Sequence, residues 1–123
     1  MKINGKERVF EYNFQAYSEL SKMCKDENLS NMADLFGDNP LKAMEATIDI
    51  AIIMNKAFED HKSYDCPSYT PDYLTRDDFR FYPINEINDL QSALMDCIKN
   101  DSERKVEGEE PKNKKKENQE KSN

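Results

Sequence analysis

Residues 38–60 read DNPLKAMEATIDIAIIMNKAFED and contain the most apolar segment of the chain. Asp38-Asn39-Pro40 is typical of a helix start, because Asn or Asp can cap the first turn and the N–H that Pro lacks has no helical partner there. From Leu41 to Ala57, apolar residues cover most of the helical surface. A helix this apolar has to be covered on most sides, so we predict a central helix from residue 40 to about residue 60.

The chain begins with a predicted β-hairpin. Asn4-Gly5 is the pair most favoured in a type I′ turn, because both residues tolerate positive φ. Phe10, Tyr12 and Phe14 alternate along the return strand and are predicted to share one face of it. Since a two-stranded hairpin is only marginally stable alone, we expect this face to pack on the rest of the chain or on a partner.

Helical periodicity predicts three further helices around the central one. The first covers residues 15–26 and is capped by Asn13. A helix of at most two turns covers residues 30–37. The last begins at Pro83 and ends near Asn100, where its apolar stripe ends. The first helix has apolar residues at every third or fourth position, namely Phe14, Tyr17, Leu20 and Cys24.

Residues 61–73 interrupt the helical pattern with two prolines and three tyrosines. Aromatic side chains are enriched at protein interfaces. We therefore predict five partner-binding residues from this loop and the hairpin face: Phe10, Tyr12, Tyr64, Tyr69 and Tyr73. The alternative is that these rings build the core and pin the loop against it.

Few residues are candidates for chemistry, and no catalytic, cofactor-binding or metal-binding residue is predicted. His61 is the one histidine and is expected to face solvent at a helix end, where the helix dipole favours it; its position near Cys66 leaves a metal site or a Cys–His pair as alternatives. Catalytic zinc needs three convergent protein ligands, so an enzyme based on His61 is the least favoured function. Asp77 and Asp78 follow Thr75 and are expected to cap a short turn.

The charge distribution divides the chain of 123 residues in two. Residues 101–123 contain seven acidic and seven basic residues, so the net charge of −7 lies entirely on residues 1–100. We predict one folded acidic domain over residues 1–100 and a disordered, charge-balanced tail over 101–123. The predicted fold class is α+β and mainly α, with the hairpin packed on three to four helices.

The same composition excludes several functions and locations. An acidic domain is unsuited to general nucleic-acid binding, which depends on clustered Lys and Arg. No apolar stretch approaches the about 20 residues of a membrane span, and no secretory signal is recognisable. The three cysteines lack a CxxC spacing. We therefore expect a cytoplasmic protein with reduced thiols, no membrane and no nucleic-acid partner.

The order of these pieces resembles the small tail assembly chaperones of long-tailed bacteriophages and prophages in low-GC Gram-positive hosts. Residues 2–7, KINGKE, lead through the aromatic strand to a helix that begins Phe14-x-x-Tyr17. An apolar central helix follows, and residues 74–79, LTRDDF, precede a C-terminal amphipathic helix and a charged end. The resemblance covers residues 1–100.

The resemblance implies a non-enzymatic protein of the bacterial host cytoplasm that is absent from the mature virion. It implies binding to the tape-measure protein, which is kept soluble, and recruitment of tail-tube subunits. It also implies a second, longer form made by ribosomal frameshifting, and Lys114, Lys115 and Lys116 are compatible with an A-rich slippery site. Self-association stays open.

The alternative is that the chain belongs to a different class of binding protein. An acidic adaptor or antitoxin-like regulator would use the same negative surface to neutralise a basic partner. Gene neighbourhood discriminates the two functions. Adjacent tape-measure and tube-protein genes favour the chaperone, whereas an adjacent toxin gene favours the regulator.

Overall fold

One long helix forms the centre of the chain, and the other elements pack around it. A computed structural model describes residues 1–107, and describes side chains for residues 1–101. The strands and α-helices are β1 (Lys2–Ile3), β2 (Lys6–Glu7), α1 (Phe14–Met23), α2 (Ala33–Phe36), α3 (Pro40–Asp65) and α4 (Ile87–Glu107). Single 3-10 turns lie at Lys25–Glu27, Leu29–Asn31, Arg76–Phe79 and Ile84–Glu86. The predicted α+β, mainly helical fold with an N-terminal hairpin is confirmed.

The hairpin turn forms as predicted. Asn4 and Gly5 have positive φ values of 54° and 76°, as a type I′ turn requires. β1 and β2 are antiparallel, with Ile3 opposite Lys6. Ile3 is 1% exposed, so this side chain anchors the hairpin in the core.

The predicted return strand is wrong beyond Glu7. Residues 8–12 form no strand, and Phe14 begins α1 instead of continuing the alternation. The backbone of this segment bonds to the central helix rather than to another strand. The side-chain amide of Asn55 donates to the Val9 carbonyl at 3.1 Å.

The predicted cap of α1 is confirmed, and of the two candidates for the cap of α3 the structure has Asn39. The Asn13 side chain accepts a hydrogen bond from the Ala16 N–H at 3.1 Å. The Asn39 side chain accepts from the Leu41 N–H at 2.9 Å, and Pro40 occupies the first turn of α3. These bonds satisfy N–H groups that have no partner inside the helix.

Neither α1 nor α3 ends where the periodicity predicts. α1 ends at Met23, and Asp26 just beyond it has a φ of 59°, which no α-helix accommodates. α3 continues to Asp65, five residues beyond the predicted end, and is capped by Cys66. Cys66 precedes Pro67, and a residue before proline is disfavoured in the helical conformation.

The last helix is longer than predicted. α4 begins at Ile87 and continues to Glu107, past the expected end near Asn100. Extending an existing helix costs little per residue, so polar residues of good helix propensity continue it. α4 therefore includes the first seven residues of the predicted tail. Residues 108–123, with the lysine cluster, lie outside the described residues.

The core surrounds α3, as predicted for the most apolar helix. α3 contacts α1, α2 and α4. β1, α1, α3, α4 and the segment between α3 and α4 contribute to the buried apolar cluster, so α3 is covered on several sides. The cluster contains Ile3, Ala16, Leu20, Ile50, Ala51, Met54, Ala57, Leu74, Phe79, Leu90 and Leu94.

Two buried polar side chains on α3 hold the connection to α4. Asn55 is fully buried. It donates to the Val9 carbonyl, as described above, and its side-chain oxygen accepts from the Leu74 N–H at 2.9 Å. Asn55 therefore joins the N-terminal segment, α3 and the loop after α3 in the core.

Glu59, one helical turn after Asn55, is the second buried polar side chain that holds this connection. It is 6% exposed and accepts from the Tyr69 hydroxyl at 2.5 Å and from the Asp72 N–H at 2.9 Å. The hydrogen bonds give the loop of residues 66–75 a fixed path along α3. A buried carboxylate with well-placed donors is tolerated where an unpaired one is not.

Replacing Glu59 by Ala is expected to lower the free energy of unfolding by about 2 kcal/mol, because the Asp72 N–H loses its buried acceptor. Glu59→Gln is expected to cost less, since an amide oxygen accepts both hydrogen bonds. Urea unfolding measures both changes, with exposed Glu19→Ala as the control. Equal losses for Ala and Gln would contradict this hydrogen-bond account.

Candidate functional site

An open apolar groove lies between residues 9–14, the C-terminal half of α3, and α4; we call it the aromatic groove. It consists of two adjoining cavities of about 710 and 500 Å³. Both are lined by Glu11, Asn13, Phe14 and His61. The larger cavity is also lined by Val9, Phe10, Tyr12, Phe58, Cys97 and Asp101, and the smaller one by Gln15, Ala57, Asp60 and Tyr64.

Two aromatic rings stand exposed on this groove. Phe14 is 74% exposed and Tyr64 is 85% exposed. The Asn13 cap places Phe14 at the first position of α1, one turn from Tyr17 on the same face, and the two rings lie 6.1 Å apart. Contiguous exposed apolar groups mark interaction sites, so these rings are the principal candidates for binding.

Three of the five predicted partner-binding residues line the aromatic groove. Phe10 and Tyr12 are half-buried in the larger cavity, and Tyr64 lies beside the smaller one. Tyr73 lies at the edge, because its hydroxyl donates to Asp60, which lines the smaller cavity. These four residues therefore converge on one surface.

Tyr69 has a different position. Its hydroxyl is bound to Glu59, and the Lys62 ammonium lies 4.4 Å from the centroid of its ring. The hydrogen bond to Glu59 raises the pKa of this phenol. The half-buried Tyr69 therefore holds the loop on α3.

Phe14, Phe58 and His61 are groove residues that the sequence interpretation did not select. The sequence pattern places Phe14 both on the predicted strand face and at the start of the first helix, but not among the predicted partner-binding residues. Phe58 falls within the apolar central helix, where nothing in the sequence separates a groove residue from a core residue. For His61 the sequence predicts a solvent-facing position at a helix end, with a metal site or a Cys–His pair as alternatives.

A polar bridge crosses the groove where the two cavities meet. His61 Nδ1 lies 2.7 Å from a Glu11 carboxylate oxygen, and His61 Nε2 lies 3.2 Å from Asp65. The Asn13 amide also donates to Glu11 at 2.8 Å. The hydrogen bond to Glu11 raises the pKa of His61, and the negative charges of Glu11 and Asp65 add to the effect.

Asp60 joins α1, α3 and the loop beside the smaller cavity. Gln15 and Lys56 each donate to it at 2.8 Å, and Tyr73 donates to its other oxygen. Burial raises the pKa of Asp60, but the hydrogen bonds from Lys56, Tyr73 and Gln15 outweigh burial and lower it to about 2. Asp60 is therefore ionised throughout the physiological range.

The bridge predicts a measurable titration. The pKa of His61 is higher in the folded chain than in the unfolded chain. The bridge from protonated His61 to Glu11 therefore stabilises the fold fully below the unfolded-state pKa, and this stabilisation is lost as pH rises through the folded-state pKa. We expect an NMR titration of His61 to have its midpoint above 6.5 and Glu11→Gln to lower that midpoint. Glu19→Gln should leave it unchanged. An equal midpoint in the Glu11 variant would show that the bridge does not form in solution.

The alternatives based on metal or thiol chemistry gain no support from the geometry. His61 lies within α3, and its ring nitrogens face Glu11 and Asp65, whereas the Cys66 sulfur lies 3.4 Å from the Ser68 hydroxyl. Among the described residues, no group of three or more His, Cys, Asp or Glu side chains is arranged to hold a metal ion. No helix in that part of the chain is long and apolar enough to cross a membrane.

A second pair of exposed apolar side chains lies away from the groove. Phe81 is 86% exposed and Ile84 is 74% exposed, and neither lines the two groove cavities. Phe81 lines a separate cavity of about 240 Å³ beside Asp77 and Asp78. Phe81 and Ile84 match Phe14 and Tyr64 in exposure, so they provide an internal control for mutagenesis.

Comparison of the chain with protein-family models, curated proteins and solved structures gives no match.

Proposed function

We propose that this chain is a tail assembly chaperone of a long-tailed bacteriophage or prophage, which binds apolar helical segments of the tape-measure protein in the aromatic groove. The exposure of Phe14 and Tyr64 on an open, apolar groove is the observation that carries the proposal. An amphipathic helix laid in an apolar groove is a recurring mode of peptide recognition. The order of elements described for residues 1–100 supports the same function.

The charge of the chain also supports a chaperone. Residues 1–100 carry the whole net charge of −7, and mutual repulsion keeps such proteins soluble and separate. Several acidic chains bound along one long apolar helix would cover its surface and keep the complex in solution. In this proposal the protein acts in the host cytoplasm without catalysis, recruits tail-tube subunits and leaves before the virion is complete.

Co-expression tests the proposal. The tape-measure protein encoded next to this gene is produced with the full chain, with an unrelated acidic protein of similar size, or alone. We expect a larger soluble fraction of tape-measure protein only with this chain, and co-purification of the two. Insoluble tape-measure protein in all three samples would contradict the proposal, and co-purification with a neighbouring toxin would favour the antitoxin-like regulator.

A further inference from the structure

The bridge between Glu11 and His61 divides the aromatic groove into its two cavities. Both residues line both cavities, as does Phe14, and their side chains meet at 2.7 Å. A partner that fills both cavities therefore has to cross this bridge. The atoms it meets there are a carboxylate and an imidazole, between two apolar compartments.

Two carboxylates contact His61, Glu11 from the N-terminal segment and Asp65 from α3. Asp60 on α3 lines the smaller cavity together with His61, and Asp101 on α4 lines the larger one. Asp60 is already matched by the ammonium group of Lys56. Glu11 and Asp65 share the one imidazole, so even a protonated His61 leaves this pair of carboxylates with net negative charge.

The protonation state of His61 decides how well the two carboxylates are satisfied. A protonated His61 donates to Glu11 through Nδ1, and its positive charge also lies 3.2 Å from Asp65 at Nε2. A neutral imidazole carries no charge and donates through one nitrogen only, so both carboxylates lose their cation, although the Asn13 amide still donates to Glu11. In the neutral state an incoming cation can therefore pair with Glu11 at the centre of the groove.

We propose that the groove selects a helix that carries a lysine or arginine between two large apolar side chains, with the cation replacing His61 as the partner of Glu11. This inference rests on the helix-binding function proposed above and specifies the helix. Residues at positions i, i+4 and i+7 lie on one face of a helix. The two apolar side chains at i and i+7 enter the two cavities, and the cation at i+4 reaches the bridge.

The replacement makes binding dependent on pH. A protonated His61 binds Glu11 as an ion pair and repels the incoming cation, whereas a neutral His61 holds Glu11 less strongly and carries no charge that repels the cation. Affinity for such a helix therefore rises as His61 loses its proton. A helix with a neutral side chain at the central position gains nothing from that change.

Synthetic helices test the selection on the full chain. The probes are amphipathic peptides of about 18 residues, long enough to form a helix, with leucines at i and i+7 and Lys, Gln or Glu at i+4. Fluorescence titration gives their affinities at about pH 6 and about pH 9, on either side of the His61 transition. The proteins are the native chain, His61→Gln and Glu11→Gln.

We expect the Lys peptide to bind about tenfold more tightly than the Glu peptide to the native chain at the higher pH. Its affinity should rise about threefold from the lower pH to the higher one, and this rise should be absent with the Gln peptide and with His61→Gln. The preference for Lys should shrink in Glu11→Gln. Each of these results supports the inference.

Other outcomes overturn the inference in distinguishable ways. If all three peptides bind equally and without pH dependence, the helix-binding function stands but the selection for a central cation is wrong. If no peptide binds and the tape-measure protein is also not solubilised, both the inference and the proposed function fail.

Discussion

Asn55→Ala is expected to lower the free energy of unfolding by about 3 kcal/mol, more than the loss expected for Glu59→Ala. Asn55 is completely buried. Its removal leaves the Leu74 N–H and the Val9 carbonyl without their hydrogen-bond partner. It also leaves a small cavity in the middle of α3, which the surrounding helices fill only in part.

Urea unfolding monitored by circular dichroism measures this loss, which corresponds to a fall in Tm of about 15 °C for a domain of this size. Asn88→Ala is the matched control, because Asn88 lies exposed on α4. Its effect should stay within about 0.5 kcal/mol. A loss below about 1 kcal/mol for Asn55→Ala would show that Asn55 does not hold the N-terminal segment and the loop to α3.

Phe14→Ala combined with Tyr64→Ala is expected to weaken binding to a helical tape-measure segment about a hundredfold. Both rings are mostly exposed in the free chain, and they would be buried against the partner in the proposed complex. Two aromatic anchors that each contribute a little over 1 kcal/mol account for this loss. The same exposure predicts a change of less than about 1 kcal/mol in the stability of the free chain.

The control for this pair is Phe81→Ala combined with Ile84→Ala. These side chains are as exposed as the groove pair, so the two double variants remove similar apolar surface. Only the groove variant should lose binding when affinity is measured by titration calorimetry. Equal losses in both variants would indicate non-specific adhesion to apolar surface, and a loss only in the control would move the binding site to Phe81.

Local signals in the sequence predict the turn and the caps correctly. Asn4-Gly5 adopts the predicted turn, and Asn13 and Asn39 cap α1 and α3. Thr75 and Asp78 form the predicted capping box. Each of these features depends on residues within a few positions of one another, which is why the sequence alone is sufficient.

Element lengths depend on contacts that the sequence does not display. β2 is short because the following backbone bonds to Asn55 on α3. Asn55 and Glu59 appear in the sequence as ordinary polar residues near the end of an apolar helix, with no sign that both are buried. The loop path and the position of Tyr69 follow from these two residues, so neither could be derived beforehand.

The sequence predicts several residues of the candidate site but not how they are arranged around the groove. Aromatic residues near both ends of the eventual groove were selected, including Phe10, Tyr12 and Tyr64. Phe14 fits both the strand alternation and the helical spacing, so the sequence alone does not decide between them. The role of His61 could not be recognised without the position of Glu11, which is 50 residues away in sequence.

In the proposed complex, a helix of the tape-measure protein lies in the aromatic groove. Chemical-shift mapping tests it most directly, with the isotopically labelled full chain titrated with a helical segment of that protein. The account predicts that the largest shifts occur at Phe14, His61, Tyr64 and Cys97, with little change at Phe81 and Ile84. Shifts centred on Phe81 and Ile84, or no shifts at a saturating concentration of the segment, would contradict it.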